Sequence, residues 1–255
     1  MIKLLKYSLY NILKTRFTLI YTLFLLLAGF SVYQLDTDLA KVSLSLLNIV
    51  LLAVPLICII FGTVYFYNSY EFMELMLSQP INRSTVFISQ YLAVGLSLAI
   101  SFVVGMGIPM LIYGADKALL TLLGIGVILS LVFTGLAFLA SVLTRDKAKA
   151  IGLTLFFWVY FSLIYDGLVL YVIYVFYDYP LEHATLAMIM LNPVDLARVV
   201  MLMQLDISAL MGFTGAFFQD FYGGMKGTLI SYSILIIWIL LPFALARKVF
   251  LKKDI

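Results

Sequence analysis

Six apolar runs, each long enough to cross a bilayer, constrain this chain more than any other feature. They lie at about residues 17 to 35, 43 to 67, 86 to 113, 119 to 143, 151 to 177 and 228 to 246. A hydrocarbon core of about 30 Å needs roughly 20 apolar residues per helix, and every run meets that length. No water reaches that depth, so each segment must satisfy its own backbone N–H and C=O groups, which makes the runs helices. Hydrophobic residues form 64% of the 255 and charged residues 11%, a balance that excludes a soluble domain. The expected fold class is therefore all-α: one polytopic transmembrane domain over residues 1 to 255.

The breaks between runs hold nearly all the charge. With the N-terminus inside, the inner segments carry twelve of the sixteen Lys and Arg residues. The outer segments carry Lys41, Lys117, Arg198 and Lys226 with eight acids: Asp36, Asp38, Asp116, Asp178, Glu182, Asp195, Asp206 and Asp220. The positive-inside rule then places both termini in the cytosol of a multi-pass inner-membrane protein. The net charge of +3 reflects that sidedness, so no nucleic-acid partner is expected. Cys58 is the one cysteine, which excludes an intrachain disulfide and fits a buried thiol. The N-terminus lacks the small-residue cleavage site of a secretory signal and its first apolar run is full span length, so that run is expected to stay as a membrane helix.

One connector differs from the rest. Between Tyr65 and Arg83 the chain reads YFYNSYEFMELMLSQPINR, an amphipathic charged stretch joining two spans. Glu71 and Glu74 suit the positive end of a short helix, and Phe72, Met73, Leu75, Met76 and Leu77 give it an apolar side. Pro80 stops it after Gln79, and Asn82-Arg83-Ser84 offers a cap to the next span. The expectation is a surface helix at about residues 69 to 79, on the cytosolic side. Ahead of the first span, Ile2, Leu5, Leu9, Ile12 and Leu13 share a helical face with Lys3, Lys6 and Lys14 away from it. That pattern suits a helix lying on membrane lipid, or a basic topogenic tail.

Within the spans, Ala93, Ser97, Ser101 and Gly105 recur every four residues ahead of Pro109, and Gly126, Ser130 and Thr134 repeat the pattern. Small residues at that spacing let helices approach closely, while a substrate path along the stripes is the alternative. The basic inner loop from Thr144 to Lys149 is a topology signal or a contact for a cytosolic partner. Asp166 is the one charge well inside a run, about 24 Å in at 1.5 Å per residue. A charge at the bilayer centre costs roughly 2.5–3.5 kcal/mol, so Asp166 needs a partner or a role, and Tyr160, Tyr165, Tyr171 and Tyr174 are candidate donors. From 178 to 227 the chain reads as an outer segment, with a helix from Asn192-Pro193-Val194-Asp195 to about Leu205. Met188 and Met190, and Met201 and Met203, are thioether pairs that would suit cuprous ion. Residues two apart on a helix diverge, so methionine as apolar filler is the preferred reading and no metal site is assigned. His183 reads as an ordinary loop residue.

No phosphate-binding loop, nucleophile elbow or Cys/His metal set occurs, and Gly223-Gly224-Met225-Lys226-Gly227 lacks the phosphate-loop spacing. A non-catalytic chain is expected, with energy supplied by a partner or an ion gradient.

This architecture resembles the membrane subunits of type-2 ABC exporters. Six spans, an interfacial N-terminal helix, a surface helix between spans two and three, and an outer segment before span six all match. Glu71-Phe72-Met73-Glu74-Leu75-Met76-Leu77-Ser78-Gln79-Pro80-Ile81-Asn82-Arg83 is similar to the acidic, leucine-rich run ending in Ser-x-Pro-x-x-Arg found there, although Tyr70-Glu71-Phe72-Met73-Glu74 lacks the Gly-Thr of many members. The Ser-Gln-Pro form, Tyr165-Asp166 and Asn192-Pro193-Val194-Asp195 look most like the branch serving nitrous oxide reductase maturation. The resemblance implies a homodimeric permease with two copies of a cytosolic ABC ATPase, which would hold ATP and Mg, while this chain holds no cofactor. It implies Glu71, Phe72, Glu74, Leu75, Gln79, Pro80 and Arg83 as ATPase-coupling residues. It also implies Asp166, Tyr165, Asn192 and Asp195 as intramembrane or outer coupling residues, and a periplasmic copper-handling partner. An exporter of lipid, drug or another small molecule is the alternative, and a secondary transporter a weaker one, since intramembrane charges are few.

Overall fold

The computed structural model describes residues 2–177, 179, 181–205 and 225–252. Asp178, Asp206, Met211, Asp220, Gly223 and Gly224, and the side chains of Glu182, His183, Met225 and Lys226, lie outside that description, so the expectations placed on them do too.

The described residues form helices joined by short turns, with no strand among them. An N-terminal helix, α1 (Ile2–Leu13), precedes α2 (Arg16–Leu35), α3 (Leu39–Asn68), a short α4 (Tyr70–Leu77), α5 (Arg83–Tyr113) and α6 (Lys117–Leu143). Span five is α7 (Lys147–Val159), a π-helical turn (Tyr160–Ile164) and α8 (Tyr165–Val175). Two short helices, α9 (Glu182–Met190) and α10 (Pro193–Leu202), come before the last, α11 (Met225–Lys252). Six helices among the described residues are long and apolar enough to cross a membrane.

Local chemistry sets where these helices begin. Thr15, Asp38, Asp116, Asp146 and Asn192 each accept a backbone N–H in the first turn of the helix that follows, satisfying donors with no intrahelical partner. Asp38 and Asp116, counted above as outer charge, are thus helix caps. In the turn before α3 the Asp38 N–H donates to Asp36 at 2.9 Å, which with nearby Lys41 holds the Asp36 carboxyl below its usual range. Gly114 ends α5 at φ 97°, a left-handed conformation that glycine adopts without strain, and its carbonyl accepts the Tyr33 hydroxyl at 2.9 Å.

The core lies where α3, α5 and α6 meet. In lipid the apolar effect gives little drive, so close approach and dispersion must hold the helices together. The small stripes serve that end: Ala93, Ser97, Ser101 and Gly105 are buried, and a Cβ on Gly105 would sit 2.6 Å from Leu25 Cβ. At Gly126 a Cβ would fall 2.1 Å from the Phe102 ring. Neighbouring helices fill these stripes. Span five and α11 are peripheral, with 17% and 22% of their most apolar windows buried against 67% for α6. On α1 the inward face runs through Leu5, Ser8 and Ile12 against α5, while Ile2 is exposed.

The described part of the region before α11 holds two short helices where the sequence announces one, from Asn192. α9 and α10 meet at 111° and fold back as a hairpin against α6, span five and α11. α10 ends at Leu202 rather than near Leu205. Leu186, Ile189, Leu196, Val199 and Leu235 form a second small core under the hairpin, which is why apolar residues recur in a stretch of otherwise mixed polarity.

Candidate functional site

At the basic end, α3 passes into α4 through one residue. Ser69 closes the first helix by donating its N–H to the Tyr65 carbonyl at 2.9 Å, and opens the second by accepting from Met73 N–H at 2.9 Å. The corner has no loop to absorb movement. Met73 is the buried anchor of α4, while Glu71, Glu74, Ser78, Gln79 and Pro80 are exposed and Leu75 is 64% exposed. Phe72 is half-buried and lines a cavity of about 250 Å³ with Tyr7, Ser8, Asn11, Tyr65, Asn68 and Ser69. Ser78 N–H donates to the Glu74 carbonyl at 3.0 Å, and Ile81 N–H to that of Gln79 at 2.6 Å, a three-residue turn centred on Pro80. The helix is thus shorter than the expected 69 to 79. Asn82 has the extended backbone of a cap, but its side chain makes no capping bond. Arg83 is the first residue of α5 and exposed.

At the opposite end the hairpin is pinned to span five by polar contacts. The π turn shifts one bond there: Tyr165 N–H donates to the Tyr160 carbonyl, five residues back. The Phe161 carbonyl accepts Asn192 Nδ2 at 2.9 Å. The same amide donates to Asp195 Oδ2 at 2.8 Å, and Asn192 Oδ1 accepts from Val194 N–H at 2.9 Å, capping α10. Tyr165 donates its hydroxyl to the Met188 carbonyl at 2.7 Å, and Trp238 Nε1 on α11 donates to that of Met190 at 3.2 Å.

Charge is concentrated beside these contacts. Arg198 Nη1 lies 2.9 Å from Asp166 Oδ2 and 3.2 Å from Asp195 Oδ1. Two carboxylates thus share one guanidinium, leaving one negative charge when all three are ionised. A cavity of about 230 Å³ opens on the group, walled by Val169, Leu170, Ile189 and Val199. Arg198 therefore replaces the tyrosines expected as partners of Asp166: Tyr165 serves Met188, while Tyr171 and Tyr174 are exposed. Asp195 and Arg198 sit three apart on α10, a spacing that pairs charges on a helix and is visible in the sequence. Their meeting with Asp166 depends on the hairpin.

The methionines divide between two packed regions. Met201 is buried in the main core, whereas Met190 and Met203 flank the small core under the hairpin. Among the described residues no three His, Cys, Asp or Glu side chains lie close enough to hold a metal.

Two relatives are similar to part of the chain. Both carry the name probable ABC transporter permease protein NosY. That from Pseudomonas aeruginosa is 28% identical over 148 residues, 54% of each chain. That from Stutzerimonas stutzeri is 27% identical over 139 residues, 50% of each. The match thus spans about half the length of these relatives. The family described as ABC-2 family transporter protein matches residues 4–255, so nearly the whole sequence, and with it both ends of the bundle, belongs to the ABC-2 transporter family.

Proposed function

We propose that this chain is the permease subunit of an ATP-driven ABC transporter, and that α4 is the surface on which a separate cytosolic ATPase acts. The observation that carries the reading is the exposed acidic and apolar face of α4, held by Met73 and rigidly continuous with α3 through Ser69. A surface helix that folds onto its own protein buries its apolar side; here Leu75 stays open beside Glu71 and Glu74, which suits a partner with an apolar cleft rimmed by basic groups. Family membership and the basic character of this end support the same assignment. Two copies of the chain would pair, each with one ATPase copy, and ATP and Mg would be held by the ATPases.

The finer reading is that movement delivered at α4 serves copper-site maturation of nitrous oxide reductase, through a periplasmic copper-handling protein at the opposite end. Its support is the Ser78-Gln79-Pro80 form, the Tyr165-Asp166 and Asn192-Pro193-Val194-Asp195 sequences, and the two relatives named above. Tyr165, Asp166, Asn192 and Asp195 would then pass motion from span five to the hairpin and outward.

Affinity purification in detergent, followed by mass spectrometry of what stays bound, tests both levels. Recovery of an ABC ATPase with a periplasmic copper-binding protein is the expected result. An ATPase alone would contradict the maturation role and favour export of a lipid, drug or other small molecule. Absence of any ATPase would overturn the docking assignment.

A further inference from the structure

We infer that Tyr67 is a positioning residue that carries displacement of α4 sideways into span five. The inference rests on the proposed docking of an ATPase on α4. Tyr67 lies in the last turn of α3, two residues before the Ser69 corner. Its hydroxyl is 2.9 Å from Thr144 Oγ1, 3.2 Å from the Thr144 carbonyl, and 3.3 Å from the carbonyls of Ser141 and Asp146. Those carbonyls belong to the end of α6 and the turn into α7, where helix carbonyls run out of intrahelical donors. One phenolic proton is thus shared by the whole turn.

Two neighbouring contacts strengthen the tie. Lys147 Nζ donates to Asn68 Oδ1 at 2.9 Å, from the first residue of α7 to the last of α3. Asp146 caps α7 through Ala148 N–H at 2.7 Å and Lys149 N–H at 3.4 Å. Deeper in the bundle α3 and α6 cannot slide locally: a Cβ on Gly62 would lie 2.8 Å from Ala137 Cβ, and the Phe66 and Phe138 rings meet edge to face at 5.4 Å.

These contacts give a push on α4 two outlets. One follows α3 into the packed core, where close contact with α6 resists it. The other crosses through Tyr67 to α7, the start of the least buried of the spans. Span five leads through its π turn to Tyr165 and Asp166 at the other end. A stiff corner joined to a lightly packed helix favours movement of that helix. Tyr67 and the adjacent Asn68 make the polar tie between them nearest the corner; deeper in the bundle Trp158 Nε1 of α7 donates to the Leu52 carbonyl of α3 at 3.2 Å.

Hydrogen exchange read by mass spectrometry on the full chain with its co-purifying ATPase, with and without Mg-ATP and vanadate, tests this. In the wild type, exchange at residues 70 to 80 and 144 to 150 should change together on trapping. Tyr67→Phe removes only the hydroxyl: the ATPase should stay bound and 70 to 80 should still respond, while the response at 144 to 150 falls at least threefold. Thr144→Val leaves the three carbonyls of the turn to the Tyr67 hydroxyl, so it should lower the response less than Tyr67→Phe, and the double variant should fall no further than Tyr67→Phe alone. A full response at 144 to 150 in Tyr67→Phe, or in Thr144→Val should the first variant fail to fold, would overturn the role of Tyr67 while leaving ATPase docking intact. Failure of the wild-type chain to retain an ATPase would instead overturn the docking assignment, and this inference with it.

Discussion

The α4 helix and the α9–α10 hairpin are both short helical insertions between spans, and they are built in opposite ways. α4 offers its polar and apolar residues outward and holds on through Met73 and a one-residue corner. The hairpin turns its polar residues inward, where Asn192 and Asp195 are buried, and is bound to span five and α11 by the side chains of Tyr165 and Trp238, which donate to its carbonyls. An element that must meet a partner needs its surface free and its root stiff. An element that must follow a span needs internal bonds to it. Under the proposed function, the difference suits the first to receiving force and the second to moving with span five.

If that contrast is right, changes at the hairpin should cost stability and changes on α4 should not. The largest effect is expected from Arg198→Ala, which strands the buried Asp195 beside Asp166. Removing one partner of a buried pair costs roughly 3–5 kcal/mol, and partial exposure of Arg198 and Asp166 reduces this to about 2–3 kcal/mol in unfolding experiments in detergent. Asn192→Ala removes a cap and two donated bonds and should cost about 2 kcal/mol. Asp166→Asn keeps the shape while removing one charge of the three; about 1 kcal/mol or less is expected, with assembly intact and transport or maturation activity reduced. Full activity in that variant would make the cluster purely architectural. Glu71→Lys with Glu74→Lys should shift stability by no more than about 0.5 kcal/mol, since both side chains are exposed. A loss above 2 kcal/mol there would erase the contrast, because α4 would then be part of the core.

The two elements also differ in how far the sequence reveals them. α4 is legible because everything defining it is local: acids at its start, apolar residues at helical spacing, Gln79-Pro80 at its end. The six spans are legible for the same reason, since length and hydropathy are read along the chain. The hairpin is legible only in part: Asn192 and Pro193 announce α10, but α9 has no side-chain cap of its own, and nothing local shows that the two helices fold back on α6, span five and α11. Asp195 and Arg198 show their own pairing, but only the fold-back brings Arg198 to an aspartate thirty-two residues away. Nothing in Tyr160-Phe161-Ser162-Leu163-Ile164 signals a π turn, which registers only with the Asn192 contact to Phe161. The Tyr67 contacts likewise join positions more than seventy residues apart.

Whether α4 is the force-receiving surface is decided by comparing ATPase retention on the wild-type chain and on the Glu71→Lys, Glu74→Lys double variant. Both would be purified from membranes, with unfolding followed on the same samples. A force-receiving α4 means equal stability and at least a tenfold loss of bound ATPase in the variant. Equal stability with equal ATPase recovery would contradict it and require the partner to dock elsewhere on the basic end.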